Sequence, residues 1–238
     1  MKDYKKELDA SRIPGHIGII MDGNGRWAET RSKSRGDGHK HGSEIIEPVM
    51  DACIELGVKA VSLYAFSMEN WSRPKAEISG LWNLFEYFFN TKLDILVGKG
   101  IRVVHSGSLK RLPPKIKRLL ADVVKKTAGN KKIFLNLCIN YGGRQEIVDG
   151  VNNWLERRKD GEMFTMKKME KHLYTAGLPE TDLIIRTSGE YRISNFMLWQ
   201  LAYAELVFTD ILWPDFAARD LYKAIYDYQQ RERRFGNI

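Results

Sequence analysis

Six short, nearly continuous apolar runs alternate with helical patterns along this 238-residue chain, and that alternation limits its fold more than any other feature. The runs cover 17–21, 60–66, 101–105, 133–139, 183–186 and 205–208. Between and after them, apolar residues recur at helical spacing over 42–56, 77–97, 114–127, 144–158, 165–173 and 217–234. A strand covered on both faces reads as an unbroken apolar run, and intervening helices make parallel crossovers. The pattern predicts an α/β fold: one domain over 1–238, with a central, mainly parallel six-stranded sheet surrounded by helices. Residues 1–13 are expected to be a flexible lead-in. Pro48, inside the first helical pattern, predicts a kink or a late start.

In such sheets, ligands sit beyond the carboxyl ends of the strands. Asp22, Ser67, Arg186 and Glu205 all lie at or near strand ends, so separate segments can converge on one site. The first strand stops at Asp22, Gly23-Asn24-Gly25 lets the backbone turn, and Arg26 opens a helix. Strand, glycine turn and helix N-terminus make an anion site, and Arg26 adds a cation that binds phosphate through two hydrogen bonds. A carboxylate beside bound phosphates calls for a divalent cation between them, and Mg²⁺ takes one or two carboxylates plus phosphate oxygens. Three other readings compete. Gly23-x-Gly25-x-x-Ala28 matches the loose dinucleotide fingerprint, but Asp22 would face the pyrophosphate. A kinase-type phosphate loop lacks its Gly-Lys-Ser/Thr. The third is a plain turn with a capping Asp.

A net charge of +8 suits an anionic partner: a phosphorylated substrate, a membrane surface or nucleic acid. The basic clusters at 2–6, 110–126 and 231–234 form no continuous tail, no recognised nucleic-acid motif occurs, and the aromatics sit in apolar contexts, so nucleic acid is not expected. The two cysteines, Cys53 and Cys138, lack metal-ligand spacing and read as core residues in a reducing compartment. The polar N-terminus has no signal-peptide pattern and no stretch is long enough to span a bilayer, so a cytoplasmic protein is expected.

The pattern over 77–97 carries Ile78, Leu81, Trp82, Leu84, Phe85, Phe88, Phe89 and Leu93, a wide aromatic stripe. A core-facing helix accounts for it; the alternative is that part of it lines a channel for a hydrocarbon ligand. Further polar groups cluster around Arg35 and Gly38-His39-Lys40, in Ser67-Met-Glu69-Asn70-Trp71-Ser-Arg73-Pro74 followed by Glu77, in Asn140-Tyr-Gly-Gly-Arg144, and in 186–196. His39 is a candidate acid, base or phosphate donor. Arg186, Arg192 and Ser194 can form a diphosphate clamp.

With these motifs in order from about residue 14 onward, and with Asp182 to Arg186 and Trp213-Pro-Asp-Phe216 added, the chain resembles the cis-prenyltransferases, and among them the undecaprenyl diphosphate synthase family. No Asp-Asp-x-x-Asp of the all-helical trans-prenyltransferases occurs. The resemblance implies a Mg²⁺-dependent homodimer that adds isopentenyl diphosphate repeatedly to an allylic primer, farnesyl diphosphate. The product would be undecaprenyl diphosphate, the lipid carrier precursor for cell-wall polysaccharide. It places catalysis at Asp22, Ser67 and Asn70, and metal binding at Asp22 and Glu205. Gly23, Asn24, Gly25 and Arg26, with Arg35 and His39, would bind the allylic diphosphate, and Trp27 would be a further substrate-binding residue. Arg186, Arg192 and Ser194 would bind isopentenyl diphosphate. Ser67, Asn70, Trp71, Arg73 and Glu77 would form a mobile flap over the reacting centre, and Ser67, Glu69, Trp71, Arg73 and Glu77 would bind substrate. Arg234 and Gly236 of the tail would reach the partner subunit's site. A hydrophobic tunnel would run between sheet and helices, with Ile133 near its far end. The lipid product leaves room for peripheral contact with a membrane. Alternatives within the resemblance are a synthase of shorter or longer chains and a non-catalytic prenyl-diphosphate-binding subunit.

Overall fold

A computed structural model describes residues 2–231. Six strands, β1 (His16–Ile20), β2 (Ala60–Ser67), β3 (Ile101–Ser106), β4 (Ile133–Tyr141), β5 (Leu183–Arg186) and β6 (Glu205–Phe208), form one sheet in the order β3-β4-β2-β1-β5-β6. Every pairing is parallel. All five residues of β1 are buried, because β2 and β5 pair on its edges while helices cover its faces. Alternation survives inside the apolar runs: Ile17 and Ile19 join the large core on one face, and Ile20 joins a smaller cluster on the other.

Eight helices follow: α1 (Asn24–Glu29), α2 (Arg35–Glu44), α3 (Ile46–Leu56), α4 (Lys75–Gly98), α5 (Pro114–Thr127), α6 (Gly143–Arg157), α7 (Met166–His172) and α8 (Ala218–Gln229). The pattern expected over 42–56 is divided at Ile45. Pro48 explains the division: it has no N–H for the carbonyl of Glu44, so it sits in the first turn of α3, where no such bond is needed. Helix α2 begins with a reciprocal cap, Ser34 Oγ accepting from Asp37 N and Asp37 Oδ2 accepting from Ser34 N at 3.0 Å.

The segment expected as a flexible lead-in is tied down. It forms two single 3-10 turns, Tyr4–Glu7 and Ala10–Arg12. Gln229 of α8 accepts from Asp9 N at 3.0 Å and donates to the carbonyls of Asp9 and Arg12. The pairing is long-range, which local composition does not reveal. Among the described residues, no helix is long and apolar enough to cross a membrane.

The larger core lies between the sheet and α3, α4, α5 and α8. Connections after β1 and β5 leave in opposite directions along the sheet, toward β2 and β6. Asp22 and Arg186 end these two strands, and the diverging loops leave a crevice between them, where α/β sheets place ligands.

Candidate active site

Gly23 makes the turn after β1 at φ +107, a left-handed conformation, and a Cβ there would lie 3.0 Å from both Ser188 and Leu212. The first-turn N–H groups of α1 that follow have no carbonyl of their own helix to bond. Helix α2 crosses close to this turn because Gly38 and Gly42 carry no side chain; a Cβ on either would lie 2.1–2.2 Å from Asn24. That close approach brings Arg35 and His39 beside Gly25 and Arg26.

Asp22 joins β1 to β5. Its Oδ1 accepts from Gly23 N at 2.8 Å and its Oδ2 accepts from Arg186 Nη2 at 2.8 Å. Arg186 is only 3% exposed. Its Nη1 donates to Ser194 Oγ at 2.7 Å and to the Arg192 carbonyl, while its buried Nε has no protein partner. Ser188, Ser194, Asn195 and Met197 all have positive φ, so the 186–197 loop is wound tightly around this guanidinium.

Arg26, Arg192, Arg73 and Arg35 each pair with a carboxylate. Arg26 donates to Ser188 Oγ and lies 3.2 Å from Glu190, which also pairs with Arg192. Glu77 holds Arg73 at 2.9 Å and Arg35 at 3.2 Å, with His39 at 3.8 Å. Burial, and then the positive charge of Arg73, push the His39 pKa down to about 4, so His39 is neutral near pH 7. Burial opposes ionisation of Glu77, but the bond from Arg35 and the charges of Arg73 and Arg35 outweigh it and hold the pKa below the usual range.

Two cavities meet at Asp22. The first, about 340 Å³, has Asp22, Gly23, Asn24, Gly25, Arg26, Arg35, His39, Asn70, Arg73 and Glu77 around its mouth. Its depth is Leu81, Trp82, Leu84, Phe85, Phe88 and Phe89 of α4 against Leu135, Leu137 and Ile139 of β4. The aromatic stripe is thus both core and cavity wall. Ile133 lies one alternation beyond Leu135 on β4, past the residues that line the cavity. The second cavity, about 500 Å³, gathers the polar side chains of Asp22, Ser67, Glu69, Asn70, Arg73, Arg186, Ser194 and Asn195 over Ile20, Met21 and Tyr64.

Four expected site residues line neither cavity. Trp27 is buried, donates to Asp215 Oδ1 at 2.7 Å and lies under Arg31. Trp71 packs on Phe66 and Trp82 behind the flap. The Arg192 guanidinium points to Glu190, and its carbonyl, not its charge, holds Arg186. Glu205 is not brought to Asp22. It opens β6 opposite Leu183, three residues below Arg186 in a parallel pair, about 10 Å away along the strand at the usual rise. There it pairs with Arg231 at 2.7 Å. Proximity in sequence to the clamp hid this, because a four-residue strand separates its two ends. Arg234 and Gly236 lie outside the described residues.

Tyr64, in the 60–66 run, and Glu190, Asn140 and Asn195, within the quoted motifs, are not among the expected site residues. The signal available for the two asparagines is that Asn tolerates the left-handed turn that a tight loop requires. Among the described residues, no three His, Cys, Asp or Glu side chains gather as a metal site. The donor set still fits Mg²⁺ held jointly: one carboxylate, its side chain 34% exposed, beside backbone and guanidinium donors for phosphate.

Comparison with known proteins agrees with this geometry. A family profile described as "Putative undecaprenyl diphosphate synthase" matches residues 20–236. An isoprenyl transferase of Leptospira interrogans is 47% identical over 97% of this chain and 98% of its own length. One from Bacillus subtilis is 45% identical over 98% of this chain and 92% of its own. Lavandulyl diphosphate synthase from Lavandula x intermedia, solved with dimethylallyl diphosphate, superposes with a TM-score of 0.91 at 31% identity, covering 95% of this chain and 100% of that one. A probable undecaprenyl diphosphate synthase from Campylobacter jejuni gives 0.80 at 31% identity, covering 94% and 99%. Fold, site and relatives together define a prenyltransferase. The chain belongs to the undecaprenyl diphosphate synthase family.

Proposed function

We propose that this chain condenses isopentenyl diphosphate repeatedly onto farnesyl diphosphate and makes undecaprenyl diphosphate, the lipid carrier precursor for cell-wall polysaccharide. One observation carries the reading: two cavities share Asp22, one continuing into an apolar chamber and the other ending in a buried guanidinium. A diphosphate with a growing hydrocarbon chain suits the first, and a small diphosphate suits the second.

In this reading the first-turn N–H groups of α1, with Arg26 and Arg35, bind the allylic diphosphate. Neutral His39 adds an uncharged donor. Arg186 and Ser194 hold isopentenyl diphosphate, and Arg192 joins them by leaving Glu190. The allylic C–O bond breaks, its electron pair leaving with pyrophosphate. The double bond of isopentenyl diphosphate attacks the allylic carbon, and a proton leaves its C2. Asp22 is engaged by Arg186 and Gly23 N, so the proton goes to an oxygen of the departing pyrophosphate. Ser67 and Asn70 shape the wall around that step. Mg²⁺, held by Asp22 and phosphate oxygens, would supply further charge stabilisation to the leaving group. Holding both diphosphates in register supplies the rest.

A homodimer is part of this proposal, with the tail at Arg234 and Gly236 reaching the partner's site. Glu205 contributes to a metal at Asp22 only across such an interface, given its position at the other end of the sheet. The protein works in the cytoplasm and touches the membrane peripherally as the lipid product leaves.

The test is incubation of purified protein with farnesyl diphosphate, radiolabelled isopentenyl diphosphate and Mg²⁺, with and without chelator, followed by chain-length analysis. A Mg²⁺-dependent ladder ending at the undecaprenyl length is expected. A shorter or longer terminal product changes the product assignment and keeps the chemistry. No elongation from any allylic primer by folded protein defeats the proposal.

A further inference from the structure

The flap is a single 3-10 turn, Met68–Ser72, between β2 and α4. Two asparagines in left-handed conformation grip it from opposite sides. Behind it, Trp71 Nε1 donates to Asn140 Oδ1 at 2.7 Å. Asn140 is 1% exposed, has φ +50, and spends both amide hydrogens on the carbonyls of Ser108 and Lys110 at 2.7 and 2.8 Å. That contact is fixed to the end of β4. In front, Asn195 Nδ2 donates to Glu69 Oε1 at 3.0 Å in an exposed position. Asn195 has φ +64; its Oδ1 accepts from Arg144 N at 2.9 Å and its carbonyl accepts from Gly143 N at 2.7 Å. It also follows Ser194, which Arg186 holds.

Glycine would satisfy either backbone with less strain. Asparagine also tolerates it and adds a side chain that reaches the flap. The rear contact is part-buried and every amide atom of Asn140 is used, so opening it is costly; the front contact is the exposed bond from Asn195 to Glu69, whose other side-chain bond, to Ser67, stays within the flap, so it exchanges easily. Glu69 and Asn195 line the second cavity and not the first.

We propose that Asn195 is a positioning residue: with the flap pivoting on Trp71–Asn140, the Asn195–Glu69 bond latches it over the second cavity and sets Ser67 and Asn70 around the substrate there. The proposal rests on the assignment of isopentenyl diphosphate to that cavity. Because Asn195 also caps α6, the latch is best broken from the flap side. Glu69→Ala removes the acceptor, and Glu69→Gln keeps an acceptor oxygen without the charge.

Steady-state kinetics with each substrate varied should show Glu69→Ala raising KM for isopentenyl diphosphate about three- to tenfold, the loss of one hydrogen bond, with KM for the allylic primer and Tm unchanged. Glu69→Gln should stay within about twofold of wild type, for the same reason. Amide exchange over 67–73 should quicken in Glu69→Ala alone. An unchanged KM for isopentenyl diphosphate, an equal rise in both KM values, or Glu69→Gln behaving like Glu69→Ala overturns the latch. If the wild type elongates no primer, the substrate assignment fails by itself. The latch is then judged by exchange: faster exchange in Glu69→Ala supports it, and no change in the flap overturns it.

Discussion

Of the two cavities that meet at Asp22, the one under α4 keeps its charges at the mouth, on the side chains of Arg26 and Arg35, which are 46% and 56% exposed. The other holds its cation inside, with the Arg186 side chain 4% exposed. The Arg26–Glu190 pair is worth little, about 0–1 kcal/mol, so an incoming phosphate displaces Glu190 at small cost, and the exposed Arg35 can turn to it while the half-buried Glu77 keeps Arg73. The buried pair of Arg186 with Asp22 is different. Its desolvation is offset in the folded protein by four hydrogen bonds from one guanidinium and its partners, and its geometry is set before a ligand arrives. Under the proposed function, the first cavity would adapt to a chain that changes length, and the second would present a fixed template to a substrate that does not change.

The largest break in this contrast should come from Asp22, the carboxylate both cavities share. Asp22→Ala is expected to lower kcat about 10²–10³-fold, the usual effect of removing one electrostatic stabiliser, and to weaken both substrates in steady-state assays. Arg186→Ala should be selective for the second cavity. It is expected to lower kcat/KM for isopentenyl diphosphate by about 30-fold or more, with a drop in Tm from unpaired Asp22, while primer binding measured by calorimetry changes little. Arg192→Ala removes a more exposed charge that Glu190 already holds, and a rise of about three- to tenfold in KM for isopentenyl diphosphate, read from initial rates, is expected. Phe85→Ala, deep in the first cavity, should shift the product distribution seen by chromatography toward longer chains and leave KM for isopentenyl diphosphate within about twofold, since it makes no polar contact.

The smallest effect is on acid stability. The folded His39 pKa, about 4, lies below its ordinary value. As pH falls from about 6.5 toward 4, the unfolded chain takes up a proton that the folded chain refuses, so stability falls across that window and is unaffected above it. His39→Gln should lose about 1–2 kcal/mol less than wild type between pH 7 and 4.5 in urea titrations. Equal slopes would mean that His39 is not held neutral by its surroundings.

The sheet was readable because two-sided burial writes itself as unbroken apolar runs. β5 and β6 match the expected 183–186 and 205–208, and the other strands differ by one or two residues at their ends. Helix α5 matches 114–127, its start fixed by the Pro113-Pro114 pair. Motifs at strand ends gave the charged groups at Asp22 and Arg186 because topology alone brings such ends together. What escaped was direction and reach. Trp27 and Trp71 belong to motifs that border the site, yet their rings point into packing, and sequence does not say which way an aromatic faces. Glu205 escaped because four residues of strand carry the chain from one end of the sheet to the other. Asn195 escaped because its contribution is a long-range contact to Glu69, invisible in local pattern.

The register of β1 also bears on how the chain is made. Its partner β2 emerges from the ribosome soon after it, but the other edge waits for β5, where Ile17 meets Leu183. At about 5–20 residues per second, that edge stays open for on the order of ten seconds during synthesis. An unpaired apolar strand is a template for wrong pairing, so the nascent chain passes through a long interval in which a strand fully buried in the finished fold is paired on one edge at most. The salt bridge from Asp22 to Arg186 forms only when that interval ends. The Asp22–Arg186 pair and the closing of the sheet are therefore one event, and a nascent chain arrested before residue 186 lacks both.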